Sequence, residues 1–194
     1  MLFDEGCSYH IYNRSNENIF LSRENYLFFL RKIRKHLLPF ADILAYCLMP
    51  NHFHLIVIIK EEGAQISQTK GRGHMSLFAQ AMGTVLSSYT QAINKQLNRQ
   101  GVLFAHKTKA KPLNFAKDNY ALSCFMYIHQ NPLMANLIDK LEDWEFSSFP
   151  DYIGYRTGTL INKQLGLAIL NLQEEDIYNI TYKLIQDKTD DDFL

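Results

Sequence analysis

The stretch from Ile43 to Lys60 constrains the fold more than any other. Ile43–Met49 is an apolar run of strand length, Met49-Pro50-Asn51 supplies a turn, and His52–Lys60 reads as the hairpin partner. In that second strand Phe53, Leu55, Val57 and Ile59 fill one face, while His52, His54, Ile56 and Ile58 fill the other. A strand that is apolar on both faces belongs in the middle of a sheet covered on both sides. The two histidines sit together at one end of it.

The flanking pattern supplies what such a strand needs. Cys7–Arg14 alternates as a strand, with Cys7, Tyr9 and Ile11 on one side and Ser8, His10 and Tyr12 on the other. Ser22 reads as an N-cap, and Tyr26, Phe29, Leu30, Ile33 and Leu37 recur at helical spacing until Pro39 ends the pattern. Residues 61–74 are polar with three glycines and read as a loop. Phe78, Met82, Val85, Leu86, Tyr89, Ile93 and Leu97 mark a long amphipathic helix over Met75–Leu97. Leu103–Lys111 is expected as a strand projecting Lys107, Lys109 and Lys111 from one face, and Lys117–Asn131 as a helix stopped by Pro132. Short helices and turns follow, closing on Asp190-Asp191-Asp192.

The order strand, helix, strand, strand, helix, strand is that of an α+β, ferredoxin-like split βαβ sandwich: an antiparallel sheet with helices packed on it, extended by C-terminal helices. The order alone also admits other α+β folds. Residues 1–150 are expected to form the main domain and residues 151–194 a helical extension with an acidic end.

Net charge is zero, which argues against an indiscriminate polyanion binder, but the charge is unevenly placed. Residues 1–117 hold 15 Lys/Arg against 7 Asp/Glu, a balance of +8, and residues 118–194 hold 5 against 13, a balance of −8. Such asymmetry points to polyanion binding with an acidic tail; helix faces that merely differ in sign would read the same way. In that first view the tail, residues 187–194, covers the basic surface when no polyanion is present. Cys7, Cys47 and Cys124 are odd in number and far apart, and read as buried, reduced thiols of a cytoplasmic protein. The N-terminal residues lack a basic segment followed by an apolar run, and no stretch is long enough to span a bilayer, so neither secretion nor membrane insertion is expected.

His52-Phe53-His54 is the strongest local chemical signal. On a strand, side chains two apart point the same way with Cα atoms roughly 6.6 Å apart, so two imidazoles can converge on one cation. The motif is short, and two histidines that merely hydrogen-bond on a sheet surface would look the same. On the helix before Pro132, Tyr120, Cys124, Tyr127 and Asn131 form one stripe, and Leu122, Phe125, Met126 and His129 another. Tyr127 and Asn131 lie one turn apart and can face one site, although periodicity alone does not single out Tyr127 among 11 tyrosines.

Three blocks together carry a resemblance. They are Tyr9-His10-Ile11-Tyr12-Asn13-Arg14; Ala45-Tyr46-Cys47-Leu48-Met49-Pro50-Asn51-His52-Phe53-His54-Leu55-Ile56-Val57; and Tyr127-Ile128-His129-Gln130-Asn131-Pro132, followed by Trp144-Glu145-Phe146-Ser147-Ser148 and Tyr152. In order and spacing, from about residue 6 to 155, they resemble the single-tyrosine HUH transposases, and within them the REP-associated tyrosine transposases. The resemblance implies a metal-dependent enzyme that cleaves and rejoins single-stranded, hairpin-forming DNA through a covalent 5′-phosphotyrosine. Position by position, it implies Tyr127 as nucleophile, His52 and His54 as the metal pair, and Asn131 as the third metal ligand, where many relatives carry Gln. Mg²⁺ or Mn²⁺ is the implied cofactor. The block after the tyrosine departs from the family: Met134-Ala135-Asn136-Leu137 stands where a basic residue and Gly are usual.

Phosphate contacts are expected from Arg14, Lys70, Arg72, Lys107, Lys109 and Lys111, with the three alternating lysines foremost. A solvated lysine edge that blocks aggregation is the plain alternative. The resemblance further implies either a monomer with its tyrosine in cis or a domain-swapped dimer, and the long tail favours the monomer. Two other functions stay open at this level: a domesticated hairpin-DNA-binding or regulatory protein with a vestigial site, and a metal-dependent hydrolase that uses water.

Overall fold

The computed structural model describes residues 1–68, 74–104, 107–115 and 119–186. Its centre is a four-stranded sheet of β1 (Ser8–Arg14), β2 (Ala41–Met49), β3 (His52–Ile59) and β4 (Lys109–Leu113), in the order β2-β3-β1-β4 with every neighbour antiparallel. Helix α1 (Arg23–Leu37) links β1 to β2. A one-turn α2 (Glu61–Ala64) and the long α3 (Leu77–Gln96) lie between β3 and β4. This is the split βαβ sandwich, with β3 as an inner strand.

Side-chain parity assigns the faces. Phe53 packs on Phe29 of α1, which in turn meets Tyr89 of α3, so the odd-numbered face of β3 lies against these two helices. The opposite face of the sheet carries α4 (Asn119–Met134), which crosses near β2 and brings Tyr127 against His54. A bulge between Ile43 and Ala45 shifts the register of β2, so that Cys47 pairs with His54 and Met49 with His52. The β2–β3 turn is held from outside: the Pro50 carbonyl accepts from the amides of Ile19 and Phe20, and the Asn51 carbonyl from that of Ser15. That clamp fixes where the first residue of β3, His52, enters the sheet.

The outer edge of β2 is closed by the segment after α4. Leu48 N–H donates to Phe146 O, Ser148 N–H donates to Tyr46 O, and the Trp144 indole donates to Leu48 O. An otherwise exposed row of backbone groups is thereby paired. The short α5 (Phe149–Tyr152) buries both of its aromatic rings, and Tyr152 donates to Leu44 O. Helix α6 (Lys163–Leu170) and α7 (Glu174–Gln186) follow, and α7 docks on α4 through a Gln130 side chain that donates to Thr181 O.

Gly166 of α6 sits directly on Tyr152; a Cβ at residue 166 would overlap the Tyr152 hydroxyl. Helix propensity alone favours Ala over Gly by about 1 kcal/mol. Overpacking a filled site costs about 1–3 kcal/mol and here also disturbs the bond to Leu44, so packing decides the sign. Gly166→Ala is expected to destabilise the protein by about 1–2 kcal/mol in urea unfolding, against the helix-propensity trend.

Several expectations from the sequence change. Pro132 does not stop α4, which runs on to Met134. The helix ends instead at Asn136, whose φ of 54° is left-handed, with Leu137 N–H donating to Pro132 O and Asn136 N–H to Leu133 O. The residues after β3 open with the helical turn α2 rather than a loop throughout. The fourth strand begins at Lys109, later than expected, and Lys107 precedes it. Ser22 occupies the N-cap of α1, yet its side chain makes no capping hydrogen bond there. Cys47 and Cys124 are buried, whereas Cys7 is exposed because it precedes β1; all three are free thiols. Among the described residues no helix is long and apolar enough to cross a membrane. The acidic segment 187–194 lies outside the described residues.

Candidate active site

A cleft of about 670 Å³ opens where the ends of β1, β3 and β4 meet α4. Strand pairing builds its floor: Arg14 lies opposite His52, Tyr12 opposite His54, and Lys109 opposite Tyr12. Directly paired residues share a face, so β1, β3 and β4 present these side chains together. Helix α4 supplies Tyr127 and Asn131 as one wall. The His52 and His54 rings are 5.0 Å apart and nearly perpendicular, and the Tyr127 ring stands edge-on to His54 at 6.1 Å.

Hydrogen bonds orient these groups. His52 Nδ1 lies 2.7 Å from Asn51 Oδ1. The ring also makes a side-chain hydrogen bond with Asn131, so which of its two nitrogens carries the proton depends on the tautomer. The Asn131 amide nitrogen donates to Tyr127 O one turn back, which turns its oxygen toward His52. His54 Nδ1 is 2.9 Å from His10 Nε2.

All three sheet histidines are held neutral. Burial, then the Arg14 guanidinium, pushes His52 down to about 4, against a smaller opposing contribution from Asn131. His54 is pushed well below the ordinary range by burial, then by His10, His52 and Arg14. His10 falls to about 4 through burial and then Lys111. Neutral imidazoles keep the lone pairs that a cation requires. Two imidazoles and one amide oxygen on adjacent walls match a site that holds a cation while leaving positions open. Among the described residues no group of three His, Cys, Asp or Glu could hold a metal ion; Asn131 lines the same cleft as the two histidines.

Among the described residues no acidic residue lines the cleft, whereas Arg14, Lys107 and Lys109 do. Lys109 and Lys111 each place Nζ 5.9 Å from the Tyr12 ring centre, and Lys111 lies one step further along, opposite His10. Of the residues expected from sequence, the cleft gathers His52, His54, Tyr127, Asn131, Arg14, Lys107 and Lys109, with Lys111 beside it. Lys70 and Arg72 lie outside the described residues. Sequence reasoning passed over His10, Tyr12 and Asn51. The alternation of β1 did put His10 and Tyr12 on one side, but only the pairing register reveals that this is the side of His54.

His129, two residues from Tyr127, faces away from the cleft. It is fully buried among Phe125, Phe149 and Tyr152, with Nε2 2.7 Å from Ser148 Oγ. Burial drives it down to about 3, far below an unfolded value near 6.5. As pH falls below 6.5 the unfolded chain takes up this proton and the folded protein does not, so stability declines on that limb. His129 alone is expected to cost about 2–3 kcal/mol between pH 7 and pH 4.5. Urea unfolding of His129→Leu at both pH values checks this: the acid decline should be shallower by that amount.

No protein-family model matches the chain, and no curated protein matches it. Among solved structures the fold is similar to that of a REP-associated tyrosine transposase bound to a REP hairpin. The identity is 14%, the TM-score is 0.58, and the match covers 79% of this chain and 83% of the other. At that identity the likeness establishes a shared fold.

Proposed function

We propose that this protein cleaves and rejoins single-stranded, hairpin-forming DNA through a covalent 5′-phosphotyrosine at Tyr127. One observation carries the reading: a single cleft gathers Tyr127, two neutral imidazoles, the Asn131 amide and three cations, with no carboxylate among the described residues that line it. Its occurrence on the fold of a hairpin-bound transposase supports the choice of substrate.

The chain's own groups account for most of the chemistry. Arg14, Lys107 and Lys109 would bind the phosphates flanking the scissile bond and hold the strand along the cleft. Tyr127 Oη would attack the phosphorus as the bond to the 3′ oxygen breaks, leaving a 5′-phosphotyrosine and a free 3′-OH. The phenol gives up one proton and the departing oxygen takes up one, so the step is neutral in protons. A phenol with a pKa near ~10 is a competent leaving group, and a second 3′-OH can reverse the step. No water has to be activated, which agrees with the lack of a carboxylate base among the described residues that line the cleft. Mg²⁺ or Mn²⁺ held by His52, His54 and Asn131 would polarise a phosphodiester oxygen and so stabilise charge at the scissile group. The imidazole donors weigh toward Mn²⁺.

Tyr127 stands edge-on to His54 of its own chain and α7 braces α4, which supports the reading of a monomer with its tyrosine in cis. A monomer mass is expected in light scattering; a dimer would contradict it. The reading itself is tested with labelled single-stranded hairpin oligonucleotides and Mn²⁺. A denaturation-resistant protein–DNA adduct that maps by peptide mass to Tyr127 is expected. An adduct on another residue, or cleavage without any adduct, would overturn it.

A further inference from the structure

The bond between His10 and His54 is used by nothing described so far. Both side chains are almost fully buried, at 4% and 6% exposure, and their rings lie nearly parallel with Nε2 of His10 2.9 Å from Nδ1 of His54. Two ring nitrogens at that distance share one proton, and a neutral imidazole has only one to give. There are therefore two arrangements. If His10 donates, the proton of His54 sits on Nε2 and an N–H points into the cleft. If His54 donates, its Nε2 lone pair faces the cleft.

The surroundings decide between them. Among the described residues the cleft is lined by Arg14, Lys107 and Lys109 and by no carboxylate, so a lone pair there is favoured and a further N–H is not. The amide oxygen on its wall, that of Asn131, is turned toward His52. His52 meets a neighbour through the same ring position, its Nδ1 lying 2.7 Å from Asn51 Oδ1. His10 is itself held in place, with Tyr12 stacked at 4.8 Å.

We infer that His10 is a positioning residue: it accepts the Nδ1 proton of His54 and so keeps the Nε2 lone pair of His54 aimed into the cleft. An outer hydrogen bond of this kind fixes the tautomer and ring orientation of a ligating histidine. The consequence for metal uptake rests on the function proposed above. The tautomer assignment does not.

The test has two readouts. Nitrogen-15 NMR of the metal-free protein reads the tautomer of His54, and Mn²⁺ titration followed by electron paramagnetic resonance reads affinity without any turnover. Wild type is expected to carry the His54 proton on Nδ1. His10→Leu removes the acceptor, so the proton should move toward Nε2 and Mn²⁺ affinity should fall about 10–100-fold. His10→Glu supplies an obligate acceptor, with Lys111 opposite to balance its charge, and should keep the Nδ1 proton and Mn²⁺ affinity close to wild type. A His54 proton on Nε2 in wild type would overturn the inference, as would unchanged affinity in His10→Leu. Should His10→Leu fail to fold, the wild-type tautomer and the His10→Glu variant still decide. If the tautomers follow expectation but no form of the protein takes up Mn²⁺, the role of His10 stands and the metal reading of the cleft falls.

Discussion

Tyr127→Phe is expected to abolish the protein–DNA adduct and to lower hairpin cleavage at least about 10³-fold, while hairpin affinity stays close to wild type. The change removes one oxygen and keeps the ring that meets His54 edge-on. Helix α4 has anchors away from that oxygen. It is anchored by Gln130 donating to Thr181 O, by His129 against Ser148, and by the paired hydrogen bonds that close its C-terminus. A loss of activity in this variant therefore reports on chemistry rather than folding, and an unchanged unfolding midpoint would verify that. Cleavage that survives Tyr127→Phe would point to a water nucleophile, and the cleft would then be that of a hydrolase.

His52→Ala is the second large effect. Removing one of the two imidazoles proposed to hold the metal should reduce Mn²⁺ uptake more than about 100-fold and cleavage by about 10³-fold. Binding of the hairpin at fixed salt should change little, because Arg14, Lys107 and Lys109 remain. The pH dependence follows from burial. With His52 pushed down to about 4, protons compete for its lone pair only in acid. Mn²⁺ uptake by the wild-type protein should therefore be flat from pH 7 to about 5.5 and decline as pH falls toward 4. A midpoint near 6.5, that of an ordinary histidine, would mean that these imidazoles are not buried as described.

Much of the architecture is written locally. The helical spacing of Tyr26, Phe29, Ile33 and Leu37 and the two-sided apolar pattern of Phe53–Ile59 correspond to α1 and to an inner strand because period alone tells which faces are buried. Pro132 misled because the rule about proline is local. The ring removes only one bond of α4, in its last turn, and the Asn136 cap together with Gln130 bonded to α7 holds that turn helical. The late start of β4 is likewise a matter of pairing: Lys109–Leu113 is a strand because β1 offers it partners from Ser8 to Tyr12.

The cleft divides in the same way. His52 and His54 share a side because they are two apart on a strand, and Tyr127 and Asn131 because they are one helical turn apart; each pair is local and could be read from spacing. Nothing local says that the two pairs face each other, that Arg14 and Tyr12 stand opposite the histidines, or that His129 turns inward while Tyr127 faces the cleft. Those facts depend on register across the sheet and on which face receives α4. The amino-acid sequence by itself determined the elements and the residue types able to do this chemistry. Only the tertiary structure decided their company, including His10 on His54, because contacts 44 residues apart are set by strand pairing and packing rather than by periodicity.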